Sequence, residues 1–152
     1  MSTETAASSR RVLVVDDDPA LLIAIADGLH LVGGYDVISA QDGAKGLERF
    51  YSANPECVVV DVRMPGLNGY QFVRTLRGDQ ETAQTPIIIL SALAQDHEQF
   101  AGLLTGADAY LTKPVKIIDL ILTIDKAVRL TSSQRERRMQ QISQLEPPDE
   151  GA

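Results

Sequence analysis

The chain has 152 residues, enough for one domain with some chain to spare. Its net charge of -7 excludes general affinity for nucleic acid, which needs clustered Lys and Arg against phosphate. One cysteine excludes an internal disulfide, and no apolar run of the sequence approaches the ~20 residues that span a bilayer.

A hydrophobic fraction of 44% suits a packed core, and the scarcity of aromatics leaves Val, Ile, Leu and Ala to fill it. Residues 1–10 are rich in Ser, Thr and Ala, lack the apolar centre of a signal peptide, and read as a disordered arm. The expectation is a soluble, cytoplasmic protein.

Arg11 to Val15 is a short apolar strand that runs into Asp16-Asp17-Asp18-Pro19. Asp18 is placed to cap a helix and Pro19 to begin it. Leu22, Ile25, Ala26 and Leu29 repeat at helical spacing, giving a helix to about Leu31 that Gly33-Gly34 ends. Tyr35 to Ala40 is a second strand. Asp42-Gly43 opens a helix carrying Ala44, Leu47, Phe50 and Tyr51, and Asn54-Pro55 breaks it.

The central stretch follows. Cys57 to Val60 are all apolar and three are β-branched, as in a strand buried on both faces of a parallel sheet. Asp61 stands at its end and Pro65-Gly66 turns the chain. In open α/β sheets ligands sit outside the carboxyl ends of the strands, so an acid here is a candidate site. Cys57, inside the apolar run, reads as a buried, inert thiol.

Asn68 looks like the cap of a third helix with Phe72, Val73 and Leu76 inward. The polar linker Gly78 to Thr85 leads to a strand from Ile87 to Leu90, ending at Ser91. A fourth helix is expected over about Asp96 to Thr105, stopping at Gly106. Ala109 to Thr112 is a fifth strand, then Lys113-Pro114, and a fifth helix starts near Lys116. Five strands alternating with five helices predict a doubly wound α/β fold with right-handed crossovers. The assigned domain is 11–130, and 131–152 reads as a helical extension or a disordered tail. Thr131-Ser132-Ser133 is a weak break and Gln134 to Leu145 favours helix with few apolar positions, so one reading is a frayed helix and tail and the other a fifth helix that runs on against a second copy. Ile121, Ile124, Val128 and Thr131 fit that spacing, but Arg135 and Arg138 spoil the seam.

The strand ends collect one set of groups: Asp16 and Asp17, then Asp61, Ser91 and Lys113. Three acids at one sheet edge repel one another unless a cation sits among them. An all-oxygen cluster suits Mg2+. A carboxylate beside such an ion can attack phosphorus and become an acyl phosphate, whose oxygens a lysine and a hydroxyl can then receive.

Val12 to Pro19, Val60-Asp61-Val62-Arg63-Met64-Pro65-Gly66-Leu67-Asn68-Gly69, Pro86 to Ala92 and Gly106 to Pro114 resemble the receiver (CheY-like) domain of two-component response regulators. The resemblance covers about Arg10 to Arg129 and implies a flavodoxin-like sheet of order 2-1-3-4-5. It implies that Asp61 is the phospho-acceptor and that Asp16, Asp17, Asp61 and the backbone carbonyl of Arg63 hold Mg2+. Ser91 and Lys113 would contact the phosphoryl group, Tyr110 and Ser91 would form the switch, and the bond before Pro114 would be cis. Such a domain is no turnover enzyme. It catalyses its own phosphorylation and slow dephosphorylation, taking phosphate from a sensor histidine kinase or phosphotransfer protein. It then signals through the face of the fourth helix, fifth strand and fifth helix.

Taken singly, Ser91 would be a capping hydroxyl, Tyr110 core filling and Lys113 a surface lysine; their company raises them. Asp18, Asp42 and Asp108 read as cap and turn residues, and His30 and His97 as surface or packing residues. Arg63 and Leu93, two places beyond Asp61 and Ser91, are bulky, and slower dephosphorylation is expected from them. Thr123 and Asp125 stand where dimeric transcription factors of this type carry basic groups, so a homodimer through Ile121 and Leu122 of the fifth helix is the other route.

The downstream target is another protein or an output domain not included in these residues. A rival from another class is a haloacid-dehalogenase-type phosphatase, with its nucleophile on strand one; Asp16-Asp17-Asp18-Pro19-Ala20 lacks the Thr of that motif. A receiver-like scaffold that is never phosphorylated would not need the full acid, hydroxyl and lysine set. Nucleotide binding has no Gly-x-Gly turn to support it.

Overall fold

Strands with no polar face dictate the layout: they must be covered on both sides. The computed structural model describes residues 10–92 and 106–143. In order these form β1 (Arg11–Val15), α1 (Pro19–Gly33), β2 (Asp36–Ala40), α2 (Gly43–Ala53), β3 (Cys57–Asp61), α3 (Gly69–Arg77), β4 (Ile87–Ser91), β5 (Ala109–Thr112), α4 (Ile117–Val128) and α5 (Ser132–Ser143). The helix predicted over Asp96 to Thr105 lies outside the described residues, as do His97 and Leu93. The fifth predicted helix is therefore α4. All strand pairs are parallel, and the sheet order is β2-β1-β3-β4-β5, as the resemblance implied.

Alternation along the strands splits the core in two. Leu13, Val15, Val58, Val60, Ile87 and Ile89 meet Phe50 of α2 and Phe72, Val73 and Leu76 of α3. Val12, Val14, Cys57, Val59, Ile88 and Leu90 meet Leu22, Ile25 and Leu29 of α1 and Leu120 and Ile124 of α4. Each such buried side chain contributes roughly 1.5–3 kcal/mol, which makes these two layers the main source of stability. Burial also pushes the Cys57 thiol pKa far up, in keeping with an inert core residue.

Local chemistry sets the helix ends. Asp18 accepts from the N–H groups of Ala20 and Leu21, and Pro19 opens α1. α1 runs two residues past Leu31, because Gly34, not Gly33, takes the left-handed conformation (φ 71°) and Tyr35 N–H donates back to Leu29. Asp42 caps α2 through Lys45 N–H, and Asn54 ends it with φ 54°. Asn68 and Gln71 cap α3 reciprocally.

One expectation needs correction. Asp108 is no turn or cap residue: it is 3% exposed and ion-paired to Arg77 and Arg135. Residues 132–143 form a helix of their own, separated from α4 by Arg129 to Thr131 rather than continuing it. Arg135 of that helix points into the protein, which is why it could not belong to an exposed seam. Of the proposed dimer contact, Ile121 is half-buried against the α1–α4 core, while Leu122 is 60% exposed. Asp125 pairs with Arg129 at 3.1 Å. His30 donates one hydrogen bond from Nδ1 to the Tyr35 carbonyl at 3.0 Å. No described helix is long and apolar enough to cross a membrane.

Candidate functional site

Register carries the predicted residues to one edge of the sheet. Val15 pairs with Val60, so the next residues, Asp16 and Asp61, leave neighbouring strands side by side. Ser91 pairs with Thr112, and Lys113 N–H donates to the Ser91 carbonyl at 2.7 Å. Asp16 N–H donates to Ala40 and Val62 N–H to Leu90, which fixes the strand ends just where the carboxylates emerge. Ser91 is fully buried, and Tyr110 is half-buried against the core layer under α2 and α3.

Carboxylate oxygens of Asp16, Asp17 and Asp61 lie within 4.8 Å of one another; Asp16 and Asp61 are buried and Asp17 is exposed. Lys113 Nζ lies 2.8 Å from Asp16 Oδ2 and 3.1 Å from Asp61 Oδ1. Asp16 Oδ1 is held by the N–H of Asp18 at 2.9 Å. Its Oδ2 is buried and, among the described residues, has no hydrogen-bond partner: the short contact to Lys113 is an ion pair outside hydrogen-bond geometry. Its one close cation among the described residues is an ammonium shared with Asp61, a shortfall of positive charge that a further cation relieves. Three carboxylates converging on one point supply the hard oxygen donors that Mg2+ takes, so the residues present fit that ion.

Burial, then the charge of Asp16, raises the Asp61 pKa above the usual carboxylate range, although Lys113 opposes both. Burial alone would lower the Lys113 pKa, but its contacts to Asp16 and Asp61 outweigh it and the net shift is upward. The ammonium therefore stays charged across the neutral range, beside a carboxylate crowded enough to welcome a cation or a new covalent partner.

The loop after Asp61 is held by a close approach. A Cβ at Gly69 would overlap the Asp61 carbonyl oxygen and stand 2.9 Å from Val62 Cα. Gly69 N–H donates to the Val62 carbonyl at 3.0 Å, folding the start of α3 onto the end of β3. Only the Pro65-Gly66 turn signalled this fold-back in the sequence; the need for Gly69 appears once the backbone contact is seen. Arg63 is exposed in that loop. The peptide bond from Lys113 to Pro114 is cis, as the resemblance implied. Asp18, the second acid of a strand-one phosphatase, instead spends its carboxylate on capping α1.

Comparison with known proteins agrees with this geometry. The family described as "Response regulator receiver domain" matches residues 12–125. The chain is 35% identical over 121 residues to the DNA-binding dual master transcriptional regulator RpaA of Synechocystis sp., covering 80% of this chain and 50% of RpaA. It is 37% identical over 115 residues to protein PilH of Pseudomonas aeruginosa, covering 76% of this chain and 94% of PilH. The receiver domain of Francisella response regulator 1452 superposes with a TM-score of 0.73 at 35% identity, covering 80% of this chain and 98% of that one. The chain thus spans about half the length of RpaA and nearly all of PilH. A doubly wound sheet with three converging acids and a lysine, matched along its whole core, places this chain in the response regulator receiver domain family.

Proposed function

We propose that Asp61 is the phospho-acceptor of this receiver. One observation carries the reading: Asp61 ends the middle strand of the sheet, clustered with the carboxylates of Asp16 and Asp17 and in contact with Lys113, which bridges it to Asp16. A carboxylate oxygen of Asp61 attacks the phosphorus of a phosphohistidine on a sensor kinase or phosphotransfer protein. The P–N bond breaks, the imidazole leaves with its electron pair, and Asp61 becomes an acyl phosphate. Lys113 and the Ser91 hydroxyl receive the new oxygens, and Tyr110 follows Ser91 as the switch. Asp16, Asp17, Asp61 and the backbone carbonyl of Arg63 would hold Mg2+, which would supply charge that offsets the crowded oxygens.

The chain catalyses its own phosphorylation and a slow dephosphorylation rather than turning over a separate substrate. Arg63, two residues beyond the acceptor, slows the approach of water by its bulk. Signalling passes from β5 and α4 to a downstream protein or an output domain, and the basic side chains of this segment are too few to bind nucleic acid. Labelling by a phosphoramidate or acetyl phosphate in the presence of Mg2+, with loss of the label on hydroxylamine treatment, tests the acyl phosphate. A label that resists hydroxylamine would count against it.

A further inference from the structure

A second charged site lies at the opposite end of the sheet. Asp108 immediately precedes β5, and it exchanges two hydrogen bonds with Ile87, both at 2.8 Å, at the start of β4. Its Oδ2 also receives Arg77 Nη2 at 3.1 Å, and its Oδ1 receives Arg135 Nε at 2.6 Å. Arg135, 4% exposed, donates further to the Ala127 carbonyl and to Gln84 Oε1, each at 3.2 Å. Every nitrogen of the guanidinium has an acceptor. The walls are rigid in turn: Arg77 also donates to the carbonyls of Gly106, Ala83 and Thr85, pinning the loop that carries Gln84.

Helix α5 meets the domain at this seat. Among its residues whose burial is described, Arg135 alone is buried; Ser132, Ser133, Gln134, Glu136, Arg137 and Gln140 are exposed. Among the described residues of this helix, the inward side chain is a planar fork of donors matched to a carboxylate and two further oxygens. β5 links the two charged sites. Asp108 precedes it and Lys113 follows it, so both ends of a four-residue strand are tied down by ion pairs to buried carboxylates, at residues about 16 Å apart along the chain.

We propose that Asp108, Gln84 and the Ala127 carbonyl form an arginine-receiving socket, filled in cis by Arg135, that latches α5 to the domain and is coupled through β5 to Asp61. The pairs Lys113–Asp16 and Arg135–Asp108 are made together with β5 in one position. A phosphoryl group on Asp61 draws Lys113 away from Asp16, shifts the strand and loosens the far seat. By reciprocity, emptying the socket favours phosphoryl binding. The coupling, though not the latch, rests on Asp61 being the acceptor.

Hydrogen exchange over 132–143 in the full chain tests the latch, with the amides of β3 as an internal reference. Arg135→Ala is expected to lower protection of 132–143 about tenfold or more, and Arg135→Lys, which keeps charge but not the fork, to fall between. Protection unchanged in both overturns the latch, and should Arg135→Ala unfold the domain, Arg135→Lys decides alone. Beryllofluoride with Mg2+, a phosphoryl mimic, tests the coupling. Wild-type protection of 132–143 is expected to drop about threefold on its addition, and Arg135→Ala to bind it about threefold more tightly. No change in either overturns the coupling. Failure of the wild type to take up beryllofluoride overturns the acceptor reading and the coupling together, and leaves the latch to the exchange data.

Discussion

The ammonium of Lys113 stands 3.1 Å from the carboxylate of Asp61. Nothing in the local sequence joins them: they meet because β3, β4 and β5 are parallel neighbours whose last residues stay in register. Lys113 is shared with Asp16, so one positive charge serves two buried carboxylates, with a third acid, Asp17, beside them. That deficit of positive charge is the physical basis of the site. It disfavours ionised Asp61 and makes room for a divalent cation.

Asp61→Asn is expected to stabilise the protein in the absence of Mg2+. Burial and Asp16 raise the folded-state pKa of Asp61, so the folded chain binds a proton there more readily than the unfolded chain. Ionised Asp61 therefore costs stability at neutral pH, and the cost vanishes as pH falls through the raised folded value towards 3.8. Urea unfolding at pH 7 is predicted to show a gain in stability for Asp61→Asn that shrinks in acid. A loss at pH 7 would mean that the Lys113 contact outweighs the crowding.

Mg2+ binding should weaken on acidification earlier than an ordinary aspartate site would. Protons compete for Asp61, whose pKa lies above the usual range, while Lys113 keeps its charge throughout. Calorimetric titration from pH 8 to pH 5 is predicted to show a fall in affinity that Asp61→Asn largely removes. At a concentration of about 100 times its dissociation constant, Mg2+ is expected to stabilise the fold by about 2.7 kcal/mol at neutral pH.

Gly69→Ala is predicted to cost about 1–3 kcal/mol, because the added methyl would meet the backbone of Asp61 and Val62 rather than a side chain that can swing away. The loop after β3 must shift, and with it Arg63. Thermal melts with and without Mg2+ separate the two effects: the variant should lose both stability and most of the Mg2+-dependent gain.

Asp108→Ala should cost about 3–5 kcal/mol, since it leaves the guanidinium groups of Arg77 and Arg135 buried around an empty centre. Burial already pulls the Arg77 pKa down, with Asp108 as the main opposing influence. Breaking an exposed pair such as Arg11–Asp36 by Asp36→Ala should cost no more than about 1 kcal/mol, and urea unfolding of both variants makes the comparison.

Arg63→Asn is expected to shorten the lifetime of the phosphorylated form, because Arg63 is exposed in the loop leading away from Asp61 and its bulk gives way to a small amide. Decay of acyl phosphate followed at neutral pH checks this; an unchanged lifetime would remove Arg63 from any part in shielding.

The strands and the gathering of Asp16, Asp17, Asp61, Ser91 and Lys113 were legible because each depends on short-range signals, whereas the strand order followed from the resemblance to receiver domains. Apolar β-branched runs end in polar residues, and the parallel sheet aligns those ends. Asp108 was not legible, because its meaning depends on Arg77 and on Arg135, far away in the chain. Within the run Ser132 to Arg137, α5 offers no apolar signal, and its one inward residue is an arginine, which pattern reading assigns to the surface. The extra residues of α1 escaped for a smaller reason: two adjacent glycines can each end a helix, and the hydrogen bonds of Gly34 and Tyr35 chose the second.

The central claim is most directly tested by mass spectrometry after incubation with acetyl phosphate and Mg2+, with peptide mapping of the modified residue. The account predicts one phosphoryl group on Asp61 in the wild type and none in Asp61→Asn. Labelling that persists in Asp61→Asn, or its absence from the wild type under conditions where Mg2+ is bound, would contradict it.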